Sequence, residues 1–123
     1  MKSNSESAVN FLKLVVVGRI DEAYEIYVSP MMRHHTPGFA GDASGLQTGM
    51  KVNHEKHPNK ALSVQRVIAE IDLVAVHSHI QMDVADPGIA VVHLFRFEDD
   101  LIVELWSVGQ PVPQVMENEN GMF

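Results

Sequence analysis

The chain has 123 residues, no cysteine and a formal net charge of −7, from 16 acidic and 9 basic side chains. This length suits a single domain over residues 1–123, because domains commonly have roughly 100–150 residues. The few scattered Lys and Arg residues do not make the clustered positive surface that nucleic acids or anionic membranes require, so we expect neither partner. The absence of cysteine excludes disulfides and thiolate metal sites, which leaves seven histidines as the groups that titrate near neutral pH.

The N-terminal segment lacks the features of a targeting signal. Residues 1–7 are polar, and the apolar stretch behind them contains Lys13 and ends at Gly18. A secretory signal needs a basic segment and a small-residue cleavage site. No apolar run approaches the ~20 residues that span a bilayer. We therefore expect a cytoplasmic protein.

Apolar residues at helical spacing predict two helices at the start of the chain. Ser3 and Glu6 have the spacing of a capping box, and Gly18 is placed to end the first helix. Residues 19–28 predict a second helix, which Pro30 stops.

A loop and a third helix follow. Residues 31–38 are rich in Pro and Gly, which predicts a loop. Asp42 or Ser44 could cap the third helix, whose core positions recur every four residues from Leu46. This helix is predicted to end just before Pro58.

From Lys60 onward the apolar pattern has a period of two, which indicates β-strands. Turns are predicted at 70–72 and at 83–88, where Asp, Pro and Gly cluster. The remaining strands are predicted at 73–82, 89–97 and 101–108. Helices followed by four sequential strands predict an α+β fold, with three helices on one face of a curved antiparallel four-strand sheet.

The register of the last hairpin decides which side chains share a face. A two-residue loop at Asp99 and Asp100 would place His93 opposite Trp106. A three-residue loop would pair Phe97 with Leu101 and place His93 opposite Leu105, on the face of Val103 and Ser107. We favour the second register because Phe97 and Leu101 then cover each other. Trp106, Glu104 and Ile102 would lie on the other face.

Six segments of the chain carry a resemblance to a known family, namely RVIAE at 66–70, DLVAVH at 72–77, FRFED at 95–99, IVELW at 102–106, QPVP at 110–113 and NENGMF at 118–123. From the second helix to the C-terminus, and most specifically over residues 68–123, the chain resembles the SnoaL-like family, relatives of polyketide cyclases in the nuclear transport factor 2-like superfamily. This resemblance implies a cone-shaped half-barrel in which three helices pack on the curved sheet around an apolar pocket. It also implies a homodimer formed through the outer face of the sheet.

The resemblance implies a cofactor-free lyase or isomerase, of aldol-condensation or cyclase type, that acts on a small hydrophobic carbonyl compound. His35 and His93 occupy polar pocket positions of the family and are the candidate catalytic residues. Neutral histidine near pH 7 can remove or donate a proton. The candidate pocket residues are His34, Met50, Phe95, Leu105 and Ser107.

Two positions depart from the family pattern and support an alternative function. A His and an Asp flank the strand-four Trp in the family, whereas Leu105 and Ser107 flank Trp106 here. The residue expected to act as the base is therefore missing. The alternative is a non-catalytic dimer that binds a small hydrophobic ligand.

Histidine spacing leaves one metal-binding alternative open. His77 and His79 alternate along a predicted strand, so both rings leave the same face, and His93 on the next strand could supply a third nitrogen. No carboxylate is evidently placed to orient these rings. We therefore expect no metal and no other cofactor. His54 and His57 are interpreted as residues near a helix C-terminus.

Overall fold

The computed structural model describes residues 2–123, which form three helices and five strands. In chain order these are α1 (Asn4–Val16), α2 (Ile20–Tyr27), β1 (Val28–His34), α3 (Ala43–Lys56), β2 (Ala61–Glu70), β3 (Leu73–Gln81), β4 (Ile89–Glu98) and β5 (Leu101–Pro111).

The ends of the helices follow the predicted capping residues. The Ser3 side chain accepts a hydrogen bond from the Glu6 backbone N–H at 3.1 Å, which caps α1. Gly18 has a φ of +89° and ends the first helix in a left-handed conformation. Asp42, and not Ser44, caps α3 by accepting from the Gly45 N–H at 2.8 Å.

The strands form one open, curved sheet in the order β1-β5-β4-β3-β2. Neighbouring strands from β2 to β5 are antiparallel, whereas β1 runs parallel to β5. The α+β prediction is confirmed, but the sheet has five strands and not four.

The additional strand explains why the loop prediction at 31–38 is wrong in its first half. β1 includes Met31 and reaches His34, at the edge of the sheet. Pro30 lies where the pairing with β5 is irregular, between Val28 and Arg33. Proline is tolerated on an edge strand because its missing N–H interrupts no central ladder, so it did not mark a break in the chain.

The β4–β5 hairpin has neither predicted register. Its loop is the two-residue Asp99–Asp100 turn, with φ values of 50° and 66° at these two residues. A register shift beyond Phe97 then adds one residue to β5, so that His93 faces Ser107. The same bulge turns Ile102 into the core, where it is fully buried. The prediction that Ile102 lies on the outer face is therefore wrong.

The hydrophobic core lies between the helices and the inner face of the sheet. Phe11 of α1 and Phe95 of β4 are both fully buried and meet edge to face, with their ring centroids 6.0 Å apart. Within residues 2–123, no helix is long and apolar enough to cross a membrane.

Candidate functional site

An internal cavity of about 220 Å³ opens between α1, α3 and the inner face of the sheet. Its wall is mostly apolar and is formed by side chains from both helices and from the sheet, among them Leu12, Val15, Leu46, Met50, Ile80 and Leu105. The volume exceeds the ~150 Å³ that holds benzene in an engineered apolar cavity. It is below the ~300 Å³ at which cavities for drug-sized ligands begin, so the cavity suits a small ligand.

His93 is the only imidazole among the described residues that line this cavity. Its Nδ1 is fully buried and has no hydrogen-bond partner within residues 2–123. The other ring nitrogen, Nε2, is therefore the one that a ligand could reach. Burial lowers the pKa of His93 from 6.5 to about 4, because desolvation disfavours the charged imidazolium. The ring is neutral at pH 7.

A pair of hydroxyls lies on the same wall. Thr36 Oγ1 and Ser107 Oγ are 3.2 Å apart, and both residues line the cavity. Since one hydroxyl donates to the other, the accepting hydroxyl keeps its own hydrogen for a ligand oxygen. Ser107 is also the residue opposite His93 in the β4–β5 pair.

His35 does not enter the cavity, so the prediction that it shares a pocket with His93 is wrong. Its Nε2 lies 2.7 Å from the Glu104 carboxylate, and its ring stacks on Trp106 with centroids 5.2 Å apart. Both partners lie on the outer face of the sheet. The reason is alternation: the chain stays extended beyond β1, so His34 and Thr36 point inward and His35 points outward.

Glu104 is the centre of an ion-pair cluster on this outer face. Its carboxylate lies 3.1 Å from Arg96 and 3.3 Å from Arg33, in addition to its contact with His35. The hydrogen bond from His35, followed by those from the two guanidinium groups, holds the pKa of Glu104 below its usual range. The cluster is a structural feature of the surface and not part of the cavity wall.

Three of the five predicted pocket residues line the cavity, and the other two lie elsewhere. Met50, Leu105 and Ser107 line the cavity, whereas His34 and Phe95 do not. Phe95 is buried in the core against Phe11.

His34 supports the loop that follows β1. Its Nε2 is 2.6 Å from the carbonyl oxygen of Ala40, and its Nδ1 accepts a hydrogen bond from the Thr36 N–H at 3.1 Å. These partners assign the neutral tautomer with the proton on Nε2. His34 thus positions Thr36 without touching the ligand space.

The predicted metal alternative is not supported by the arrangement of its residues. His93 lies on the inner face, opposite to His77 and His79, because His93 pairs with Val76 and His77 with Val92. His77 accepts a hydrogen bond from Arg66, and His79 Nε2 donates to the Pro87 carbonyl at 2.7 Å. Between residues 2 and 123, no three His, Asp or Glu side chains are grouped to hold a metal ion.

A wider groove of about 700 Å³ lies on the outer face, between the sheet and the C-terminal segment. Phe123 packs on His79 there, with ring centroids 4.5 Å apart, and His77 lines the groove. Neither predicted catalytic residue lines it. The internal cavity, which holds His93, is therefore the candidate site.

The cavity residues that were not identified from the sequence as site residues include Thr36, Phe39, Asn53 and Lys60. Phe39 packs against Gly49 of α3 so closely that a Cβ at Gly49 would lie 2.3 Å from the ring. The alternation beyond β1 could have indicated Thr36. No sequence motif indicates Asn53 and Lys60, which meet across the short connection between α3 and β2.

Comparison with solved structures finds the same fold in several proteins. An NTF2-like protein of unknown function from Cytophaga hutchinsonii has a TM-score of 0.73 and 16% identity, covering 90% of this chain and 93% of its own. A SnoaL-like polyketide cyclase from Agrobacterium tumefaciens has a TM-score of 0.73 and 14% identity, with coverages of 89% and 93%. An uncharacterized cystatin-fold protein from Novosphingobium aromaticivorans has a TM-score of 0.73 and 16% identity, with coverages of 88% and 99%.

No protein-family model and no curated protein sequence matches the chain. At these identities the structural likeness establishes an NTF2-like fold and does not by itself assign an activity.

Proposed function

We propose that this chain is a SnoaL-like, cofactor-free enzyme of lyase or isomerase type, with a small carbonyl compound as its substrate. The observation that carries the proposal is the position of His93 beside the Thr36–Ser107 hydroxyl pair, in a cavity that is otherwise largely apolar. A SnoaL-like polyketide cyclase is among the proteins of the same fold.

His93 and the hydroxyl pair each have a defined role in this proposal. The neutral His93 ring accepts a proton from the carbon next to the substrate carbonyl, through Nε2. The free hydroxyl hydrogen of the Thr36–Ser107 pair donates to the carbonyl oxygen, where negative charge develops. That charge in turn favours the imidazolium, which opposes the effect of burial on the pKa of His93.

Proton exchange in deuterated water tests this proposal. Acetophenone carries exchangeable hydrogens next to its carbonyl group, and NMR measures their replacement by deuterium. We expect the protein to accelerate exchange and the His93→Gln variant to lose about 100-fold or more of that acceleration. Exchange that is no faster with protein than with buffer would refute the assignment.

A non-catalytic cavity that binds small hydrophobic ligands is the second candidate. It is favoured by the pKa of His93 near 4 and by the absence of any carboxylate from the described cavity wall. A base is most effective when its pKa lies near the working pH. This candidate predicts that acetophenone binds, as measured by calorimetry, but that its hydrogens exchange at the rate seen in buffer.

We propose that the protein is a homodimer whose two chains meet through the outer face of the sheet. Four aligned side chains form an apolar row across β2 to β5, namely Ile68, Ala75, Leu94 and Trp106. Ile68 is 65% exposed and Leu94 is 36% exposed. We expect Leu94→Arg to convert a dimer to a monomer in light scattering, and Ile26→Arg, on an exposed face of α2, to leave it unchanged. A wild-type protein that is already monomeric would refute this part of the proposal.

A further inference from the structure

Lys60 brings a positive charge to the internal cavity. It lies between α3 and β2, is half-buried and lines the cavity together with Asn53. Its Nζ donates a hydrogen bond to Asn53 Oδ1 at 2.5 Å. Among the cavity-lining residues of the described chain it is the only one with a formal charge, and no acidic side chain within residues 2–123 forms an ion pair with it.

The positive charge of the Lys60 ammonium group is not balanced by a negative charge, and its N–H donors are only partly satisfied by the protein. An amide oxygen satisfies one of its three N–H donors and contributes no negative charge. Burial of a cation without a counter-charge is unfavourable. In agreement with this, burial lowers the pKa of Lys60. An anionic ligand would supply both the missing charge and acceptors for the remaining donors.

Lys60 and the hydroxyl pair reach the cavity from different parts of the sheet. Ser107 is on β5, His93 on β4 and Ile80 on β3, and Lys60 directly precedes β2. From β5 to β2 there are three strand spacings, roughly 14 Å between the backbones. The rest of the cavity wall is mostly apolar. A ligand that satisfies both ends therefore has two polar groups separated by an apolar body.

We infer that the ligand of this cavity is a small oxo acid, with its carboxylate bound by Lys60 and its carbonyl oxygen at the Thr36–Ser107 pair. This inference deepens the proposed function. It rests on that function for the carbonyl end, whereas the carboxylate end depends on Lys60 and Asn53. A charge-assisted contact of this kind is selective, because an uncharged amide of the same shape gains no attraction to the ammonium group.

A matched pair of probes tests the carboxylate end. 4-Acetylbenzoate and 4-acetylbenzamide share the acetyl group and the ring, and differ in the charge at the opposite end. Calorimetry at pH 7 measures both dissociation constants for the wild-type protein and for Lys60→Gln, Lys60→Arg and Lys56→Gln. Lys56 is an exposed residue in the last turn of α3, so its variant controls for a general loss of positive charge.

We expect the wild-type protein to bind the benzoate roughly 10- to 100-fold more tightly than the benzamide. The preference should disappear in Lys60→Gln, remain in Lys56→Gln and be largely kept by Lys60→Arg. Benzamide binding that is equal in the wild-type protein and Lys60→Gln shows that the variant cavity is intact. Equal binding of the two probes to the wild-type protein, a preference that survives Lys60→Gln, or no binding of either probe would overturn the inference.

These outcomes are separate from those of the acetophenone assay, because acetophenone is uncharged. A benzoate preference without accelerated exchange supports the oxo-acid site and refutes the enzyme. Accelerated exchange without a benzoate preference supports the enzyme and refutes the role of Lys60.

Discussion

His93 lies directly opposite Ser107 in the β4–β5 pair, and both side chains line the internal cavity. The bulge between Arg96 and the hairpin turn makes this pairing possible. Without the extra residue in β5, the two-residue turn would place His93 opposite Trp106. A shift of one residue moves a whole strand to the other face, so the bulge is what brings the imidazole and the hydroxyl together.

The first prediction concerns the hydroxyl of Ser107. We expect Ser107→Ala to slow the deuterium exchange of acetophenone by about 10-fold or more, because the carbonyl oxygen loses part of its hydrogen-bond donor pair. Thr36 retains a hydroxyl, so the loss should be smaller than in His93→Gln. The measurement is the initial exchange rate at saturating acetophenone. A variant as fast as the wild-type protein would exclude the Ser107 hydroxyl from the reaction.

The second prediction is a pH dependence of stability that originates at His93. Its pKa is about 4 in the folded chain and about 6.5 in the unfolded chain. Between these values the unfolded state binds the extra proton, so the free energy of unfolding falls as the pH falls from 6.5 to 4. The contribution of His93 is complete above pH 6.5 and amounts to at most about 3 kcal/mol.

The variant His93→Gln isolates this contribution. Urea unfolding of both proteins from pH 4 to pH 7 measures the difference in free energy of unfolding at each pH. Carboxylates titrate in the same range in both proteins, so their effect cancels in the difference. We expect the wild-type protein to gain stability relative to the variant as the pH rises. A constant difference would show that His93 is not buried as a neutral ring.

The sequence was sufficient to predict most of the secondary structure but not the pairing of the last strands. Period-two alternation indicated β3 and β4, and the placement of Leu105 and Ser107 on the face of His93 is confirmed. The bulge that sets their register was not predicted. The three-residue loop was favoured with one Asp in a left-handed conformation, whereas Asp99 and Asp100 both have positive φ and form a two-residue turn. Either loop length was compatible with the residues, and only the packing of Ile102 in the core decides between them.

The candidate site was less accessible to sequence reasoning than the fold. His35 and Thr36 are neighbours, and which of them faces the cavity depends on whether the chain stays extended beyond β1. The Pro and Gly residues at 30–38 had led to the prediction of a loop there in place of an edge strand. Lys60 and Asn53 meet across the short connection between α3 and β2, and the sequence does not show that this connection turns toward the cavity. The cavity itself is formed by segments that are distant in the sequence, and no local pattern encodes their packing.

The third prediction tests the placement of His35 on the outer face. We expect His35→Ala to change the exchange rate of acetophenone by less than about twofold, because the ring contacts Glu104 and Trp106 and not the cavity. The same variant should lower the Tm, since the buried Glu104 carboxylate loses a hydrogen-bond partner. A loss of exchange without a change in Tm would place His35 in the reaction and contradict the structure.

The fourth prediction concerns the strained turn between β2 and β3. Ile71 has a φ of 55° and is 93% exposed, so a β-branched side chain occupies a left-handed position without compensating contacts. We expect Ile71→Gly to stabilise the protein by about 1 kcal/mol, because glycine adopts this conformation without a steric penalty. Thermal unfolding followed by circular dichroism measures the shift in Tm.

A matched control separates this effect from the general effect of glycine. Ile26 is 47% exposed and lies in α2, where the backbone is helical. Ile26→Gly should destabilise the protein by about 0.5 kcal/mol, because glycine is the poorer helix former. Opposite signs for the two substitutions would identify the backbone conformation at Ile71 as the cause. A lower Tm for Ile71→Gly would mean that the entropy gained by the unfolded chain exceeds the strain relieved in the turn.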